Sequence, residues 1–174
     1  TDLYMAEGLA ELLGAGVSLR LVDRGQLDAA LDQDVALLML TEVDFRTGAR
    51  HDMDRLTATA HDRGALAIWD LAHSAGAFPV DLAGCDVDLA VGCGYKYLGG
   101  GPGAPAFVYA ARRLHDRLRS PLWGWMGHAA PFAFDTGYRP ADGALRFQVG
   151  TPPILSLAAL ELGIAAIAEI GVER

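Results

Sequence analysis

Residues 87–103 decide the fold, and they read Val87-Asp-Leu-Ala-Val91-Gly-Cys-Gly-Tyr-Lys96-Tyr-Leu-Gly-Gly-Gly-Pro-Gly103. The stretch opens on a largely apolar run of the kind that fills a buried strand, and a glycine-rich segment follows directly. Similar apolar runs occur upstream at 35–40 and 66–69, with a helix-like segment at 53–61 between them. Apolar strands that alternate with helices predict an α/β fold with a mainly parallel sheet covered by helices.

Apolar periodicity predicts the other elements outward from this stretch. The predicted helices span 3–13, 26–31, 53–61, 111–118 and 154–170. The predicted strands span 17–22, 35–40, 66–69, 87–91 and 106–109, and the Gly-, Pro- and aromatic-rich residues 120–153 are predicted to form loops with short strands. Ligands of parallel sheets lie beyond the carboxyl ends of the strands, which directs attention to 41–45, 70–73 and 92–101.

The composition limits the possible classes of function. The chain has 174 residues and a net charge of −8, which argues against the basic surface that nucleic acids require. No apolar run reaches the roughly 18 residues of a membrane span. The two cysteines lack zinc-ligand or CxxC spacing and the five histidines are scattered, so we expect no metal site and a reducing, cytoplasmic location.

Lys96 is the single lysine of the chain, beside thirteen arginines. Codon bias explains the arginines, but it does not explain why the one exception lies among glycines and tyrosines after a core strand. Arginine stays protonated and cannot form an imine, whereas a desolvated lysine can lose its proton and attack an aldehyde. The alternative is an ordinary surface lysine. We interpret Lys96 as a functional lysine that forms an imine.

Asp70 follows the run at 66–69 and therefore lies at the carboxyl tip of a predicted strand. Pyridoxal phosphate (PLP) binds a lysine as an imine and needs an anion beside its ring nitrogen, which keeps the pyridinium protonated as an electron sink. Beside Lys96, Asp70 fits this role in a PLP site. It fits the N-cap of a following helix equally well, so both roles stay open at this point. His73, three residues on, is by itself most often a hydrogen-bonded structural residue.

Four segments carry a more specific pattern, in this order: Asp70-Leu-Ala-His73-Ser-Ala-Gly, Gly94-Tyr-Lys-Tyr-Leu98, Gly124-Trp-Met-Gly-His128 and Gly150-Thr-Pro-Pro-Ile154. Together they resemble the kynureninase family of the class V aminotransferase-like superfamily, over essentially the whole chain. The resemblance implies the large domain of a fold-type-I PLP-dependent transferase. It also implies a hydrolase of tryptophan catabolism, in the kynurenine pathway and NAD biosynthesis. Such an enzyme cleaves the Cβ–Cγ bond of L-kynurenine or 3-hydroxykynurenine, giving anthranilate or 3-hydroxyanthranilate and L-alanine.

The resemblance implies a role for each residue of the predicted site. Lys96 would form the imine with PLP, and Asp70 would pair with the pyridine nitrogen. Tyr95 would hydrogen-bond the phosphate and act in proton transfer, which makes Lys96, Tyr95 and Asp70 the catalytic set. His73 would lie near the cofactor ring.

Three further cofactor-binding residues follow from the same resemblance. Thr41 matches a hydroxyl residue of the cofactor pocket. Trp125 and Thr151 would complete the phosphate site from the neighbouring subunit of a homodimer. The family also has segments before residue 1 and a small domain after residue 174. We therefore expect 1–174 to be a partial large, PLP-binding domain that does not perform the reaction alone.

Three other interpretations stay open from the residues. A cysteine desulfurase or selenocysteine lyase belongs to the same superfamily, but these enzymes usually carry histidine where this chain has Tyr95. An inactive fragment that serves as a binding or folding module is a second. A Rossmann-type nucleotide domain is the third, although the glycines at 92–103 lack the G-x-G-x-x-G pattern followed by a helix.

Overall fold

A four-stranded sheet forms the centre of residues 33–174 in the computed structural model, which describes residues 2–14 and 16–172. The strands lie side by side in the order β1 (Leu37–Thr41), β2 (Leu66–Asp70), β3 (Leu89–Cys93) and β4 (Ala106–Ala110). The first three run parallel, and β4 pairs antiparallel with β3. The predicted α/β fold with a mainly parallel sheet is confirmed, and each of these strands ends within two residues of its predicted ends.

The helices are α1 (Asp2–Leu13), α2 (Leu27–Ala30), α3 (Met53–Asp62) and α4 (Ile154–Ile170). Helix α3 starts where the Asp52 side chain accepts a hydrogen bond from the Arg55 backbone N–H, as an N-cap does. It packs on β2, where the Trp69 ring is fully buried and its Nε1 donates to Thr57 Oγ1 at 3.0 Å. The indole N–H is therefore satisfied inside the core.

Asp88 forms a buried polar cluster at the amino end of β3. Its carboxylate accepts hydrogen bonds from the Ala67 backbone N–H (2.8 Å), His61 Nε2 (2.7 Å) and Arg113 Nη2 (2.7 Å). These partners come from β2, α3 and the segment after β4. A buried carboxylate needs such compensation, so the cluster ties four parts of the chain together at the edge of the sheet opposite Lys96.

Helix α4 follows its predicted bounds of 154–170, and none of its side chains is buried within the described residues. Leu160 and Gly163 contact the glycine-rich segment at 94–100, whereas the side chains of Leu155 and Leu162 are exposed. Despite this apolar character, no helix in the described part of the chain is both long and apolar enough to cross a membrane.

The chain divides into two compact units, and residues 1–32 form the smaller one. Here α1 confirms the helix predicted at 3–13, and α2 lies within the helix predicted at 26–31. A 3₁₀ turn, Arg24–Gln26, precedes α2. The strand predicted at 17–22 is wrong: the segment is irregular, and Arg20 bonds to Asp32 at 2.7 Å. Alternating apolar residues become a strand only where a partner strand supplies the ladder hydrogen bonds.

Two predictions after β4 also need correction. The helix predicted at 111–118 is a 3₁₀ turn, Arg112–Leu114, followed by a hydrogen-bonded turn in which the Leu118 N–H donates to the Leu114 carbonyl oxygen at 3.0 Å. Ala111 and Leu114 are buried here. The loops predicted at 120–153 are present, but 3₁₀ turns at 125–127, 131–133 and 143–147 replace the short strands, and the region has one isolated bridge, between His128 and Pro140, among its described residues.

Candidate active site

The carboxyl ends of β1, β2 and β3 bring the predicted site residues to one edge of the sheet. Thr41, the last residue of β1, lies opposite Asp70, the last residue of β2, in the parallel register. Asp70 in turn lies opposite Val91 of β3, and Lys96 follows three residues after that strand ends. The sequence predicted that the site lies beyond the carboxyl ends of the strands, and the register shows that Thr41 and Asp70 are direct neighbours there.

Lys96 and His73 form the centre of the site. Lys96 Nζ lies 3.0 Å from His73 Nε2, and both side chains are half-buried. The ammonium group also lies 5.5 Å from the centroid of the Tyr95 ring, within the range of a cation–π contact. Tyr95 itself is 48% exposed, so its hydroxyl can reach a bound molecule. The structure thus joins three of the predicted residues around one amino group.

Close backbone contact holds the His73 and Lys96 segments together. Gly76 has φ +87°, and a Cβ at this position would come within 2.5 Å of the Tyr97 carbonyl oxygen. Only glycine accepts both this conformation and this approach at low cost. The Gly76 of the His73 motif therefore has a structural function, because it lets the loop after β2 pack on the loop that carries Lys96.

Asp70 shapes the turn after β2, where no helix follows for it to cap among the described residues, and its pairing with a cofactor nitrogen stays a prediction. Its Oδ1 accepts a hydrogen bond from the Ala72 backbone N–H at 2.9 Å, which shapes the turn after β2. Its Oδ2 makes no hydrogen bond to any described residue and is not fully buried, so a ligand can reach it. The carboxylate can therefore hold the turn with one oxygen and accept from a cationic N–H with the other.

Thr41 uses its hydroxyl locally, because Oγ1 donates to the Val43 carbonyl oxygen at 3.0 Å. The oxygen lone pairs stay available to a ligand, but the hydroxyl proton is engaged. The role of Thr41 in the cofactor pocket therefore stays a prediction, supported by its position beside Asp70.

Trp125 and Thr151 lie in a separate part of the site region. A Cβ on Gly124 would collide with the Val149 carbonyl oxygen, so the segments that carry Trp125 and Thr151 run against each other. The Trp125 ring contacts Phe132 edge-on at 5.5 Å. Among the described residues neither side chain hydrogen-bonds or stacks with Lys96, His73 or Asp70. Their predicted role in binding the phosphate stays a prediction.

Phe45 is a site residue that the sequence interpretation missed. Its ring stacks on the His73 imidazole, with centroids 5.7 Å apart and an interplanar angle of 25°. His73 Nδ1 is buried and has no hydrogen-bond partner among the described residues. The only sequence signal was that Phe45 lies in the 41–45 segment beyond β1, which marks an edge of the sheet but not a contact.

Comparison with known proteins identifies the family. A family profile described as "Aminotransferase class-V" matches residues 6–174. The chain belongs to the class-V aminotransferase family. Its fold is accordingly the fold-type-I arrangement predicted from the sequence, and PLP is the cofactor expected of that family. This membership agrees with a lysine and a carboxylate at the carboxyl edge of a mainly parallel sheet.

Individual relatives show which proteins within the family this chain is similar to in sequence. The chain is 54% identical over 170 residues to a kynureninase from Deinococcus radiodurans and 54% identical to one from Pseudomonas fluorescens. These matches cover 98% and 97% of this chain, and the chain spans 41% of the length of each relative. Among solved structures, an apo cysteine desulfurase from Thermococcus onnurineus has a TM-score of 0.81 at 26% identity, covering 99% of this chain and 44% of that one.

Proposed function

We propose that this chain is the cofactor-binding part of a PLP-dependent kynureninase. The reaction is hydrolysis of the Cβ–Cγ bond of L-kynurenine or 3-hydroxykynurenine, giving anthranilate or 3-hydroxyanthranilate and L-alanine. The observation that carries the proposal is Lys96 Nζ, 3.0 Å from His73 at the sheet edge where Asp70 lies. The 54% identity to kynureninases selects this chemistry within the family.

The residues present fit PLP on structural grounds. His73 Nδ1 is buried without a partner and Asp70 Oδ2 makes no hydrogen bond in the described part, so two polar atoms are left for a ligand. Lys96 is half-buried among glycines, with no carboxylate within ion-pair distance in the described residues. PLP supplies an electron sink when bound, and these are the groups that can attach it, pair with its ring nitrogen and contact its substituents.

Lys96 has two functions in this proposal. Its amine would hold the cofactor before the substrate arrives, and, once the substrate amine has displaced it, the same amine would be free to move the α-proton of the substrate. Because His73 Nε2 lies at hydrogen-bond distance from Lys96 Nζ, the imidazole and the amine can share a proton. The Gly76–Tyr97 backbone contact keeps the two side chains at this separation.

Asp70 and Tyr95 complete the catalytic set. The Asp70 carboxylate at the strand end would pair with the ring nitrogen of PLP, and an anionic partner would favour its protonated form. Tyr95 is half-exposed beside Lys96, where its hydroxyl can donate a proton to the β-carbon of the substrate or orient water at the γ-carbonyl. Thr41, next to Asp70 in the sheet, contributes an oxygen to the cofactor pocket.

The proposal extends to the whole protein. Residues 1–174 are part of the large domain, and Trp125 and Thr151 complete the phosphate site of the neighbouring subunit in a cytoplasmic homodimer. Trp125 (44% exposed) and exposed Phe132 and Phe134 support this, since such an aromatic surface suits a subunit interface. The pathway is tryptophan catabolism, with NAD biosynthesis as one destination of the product.

A test uses the full-length protein loaded with PLP and reduced with borohydride. We expect a pyridoxyl group on the peptide that contains Tyr95 and Lys96, and anthranilate formation from kynurenine before reduction. Lys96→Arg keeps the positive charge and should abolish both. A label on another amine would overturn the Lys96 assignment. A label on Lys96, with sulfide released from cysteine and no anthranilate formed, would favour a cysteine desulfurase instead.

A further inference from the structure

The segment after β1 is a tightly hydrogen-bonded loop. Val43 and Arg50 form an antiparallel bridge, the Asp44 N–H donates to the Ala49 carbonyl oxygen at 3.0 Å, and the His51 N–H donates to the Glu42 carbonyl oxygen at 2.8 Å. At the turn, Asp44 Oδ1 accepts from the Arg46 backbone N–H at 2.8 Å. This backbone hydrogen bond is the main cause that lowers the pKa of the Asp44 carboxyl, and a hydrogen bond from the Arg46 side chain is the second. Phe45 therefore stands on a well-defined turn.

Glu42 anchors this loop to the core. Its side chain is fully buried, and its Oε1 accepts from Arg50 Nε at 3.0 Å and Nη2 at 2.9 Å. The Arg50 guanidinium also lies 4.1 Å from the centroid of the Phe78 ring. Glu42 is the buried member of this pair and Arg50 is 54% exposed. Movement of the loop would leave the buried Glu42 carboxylate without Arg50, and an uncompensated buried charge is costly. The anchor therefore fixes where Phe45 lies.

The Phe45 side chain is largely exposed but still stacks on another ring. It is 72% exposed, so burial in this chain does not explain its position, yet its ring stacks on His73. A functional histidine is normally oriented by a hydrogen bond at its second ring nitrogen. His73 Nδ1 has no such bond within the described residues. The stack on Phe45 is thus the contact that sets the plane of the imidazole, while Nε2 faces Lys96.

We propose that Phe45 is a positioning residue that holds His73 in the orientation from which Nε2 meets Lys96. The inference deepens the proposed function and rests on Lys96 as the PLP-binding amine. Phe45 acts through His73, so its removal should weaken the attachment of the cofactor without unfolding the protein. An aromatic pair contributes an amount that corresponds to roughly a two- to tenfold change in an equilibrium constant.

The test compares Phe45→Leu, Phe45→Tyr and a control, Tyr4→Leu, in the full-length protein. Tyr4 of α1 is 78% exposed and makes no ring contact among the described residues, so it is an exposed aromatic residue like Phe45. We expect Phe45→Leu to raise the dissociation constant of PLP roughly two- to tenfold and to lower kcat more than it raises KM. Phe45→Tyr keeps an aromatic ring, so its PLP dissociation constant, kcat and KM should stay close to the wild-type values. None of the variants should shift Tm. An unchanged PLP dissociation constant in Phe45→Leu would overturn the proposal.

A double-mutant cycle separates positioning from direct contact with the cofactor. In a His73→Gln background, Phe45→Leu should have no further effect on PLP binding, because the ring it orients is gone. Equal effects of Phe45→Leu in both backgrounds would show that Phe45 does not act through His73. Peptide mapping after borohydride reduction accompanies each measurement. A pyridoxyl label absent from Lys96 in the wild type would contradict the proposed function, whereas a labelled Lys96 with an additive cycle contradicts only the role of Phe45.

Discussion

Gly163 of α4 lies directly against Leu98 and Gly99, just beyond Lys96 in the glycine-rich segment. A Cβ at position 163 would come within 2.5 Å of the Leu98 carbonyl oxygen and 2.7 Å of the Gly99 carbonyl carbon. These are backbone atoms, so they cannot turn aside as a flexible side chain does. Helix α4 therefore supports the Lys96 segment through a backbone contact that glycine alone permits.

This contact predicts the sign of a substitution. Alanine favours a helix over glycine by about 1 kcal/mol, so propensity alone would make Gly163→Ala stabilising. We expect instead a loss of about 1–3 kcal/mol in the free energy of unfolding, because α4 must shift away from Leu98. The control is Gly8→Ala in α1, where the added Cβ meets nothing within 4 Å and should be neutral or stabilising. Urea denaturation measures both, and equal changes would contradict the packing argument.

Replacing Asp70 separates its electrostatic role from its structural one. In Asp70→Asn the amide oxygen can still accept from the Ala72 N–H, so the turn and the Tm should change little. The anionic partner is lost, and kynurenine turnover should fall roughly a hundredfold or more. The measurements are steady-state kinetics and thermal unfolding of the full-length protein. Unchanged turnover would contradict the assignment of Asp70 to the ring nitrogen.

The Asp88 cluster predicts a large effect on stability far from the chemistry. Asp88→Ala would leave Arg113, His61 and the Ala67 N–H without their common acceptor, at a cost of about 3–5 kcal/mol in the free energy of unfolding. The control is Asp86→Asn, which removes the charge of a 68% exposed carboxylate 2.9 Å from Arg113 and 3.7 Å from His61, and which tolerates the φ of 47° at this position. It should cost about 1 kcal/mol or less. Chemical denaturation distinguishes them, and similar losses would show that burial of Asp88 does not matter.

Asp44 predicts a pH dependence of the Phe45 loop. Its folded-state pKa lies below the ordinary value of 3.8, chiefly because the Arg46 backbone N–H donates to it. The carboxylate therefore contributes stability that is fully present above pH 3.8 and is lost as the pH falls through the lower folded-state pKa. An NMR titration should give a midpoint below 3.8. Arg46→Ala should raise that midpoint only in part, since the backbone donor remains, and a return to the ordinary value would contradict this order of causes.

Local patterns predicted most of the α/β order correctly, but they failed at 17–22 and at 111–118. The strands at 66–70 and 89–93 were predictable because consecutive apolar residues between turn signals favour a buried strand whatever lies beside it. The alternation at 17–22 was as regular, but no strand of the described chain pairs with it. The helix predicted at 111–118 is a 3₁₀ turn followed by a hydrogen-bonded turn, a difference that apolar periodicity does not distinguish.

The sequence by itself determined the order of most strands and helices, the position of Asp70 at a strand end, and the presence of Lys96 as the single lysine among thirteen arginines. Each depends on residue type and on neighbours a few positions away. Only the tertiary structure decided that His73 meets Lys96, 23 residues away, and that Phe45 stacks on His73. Those contacts follow from the parallel register of β1, β2 and β3, which places three loops at one edge, and register depends on packing between strands that local periodicity does not encode.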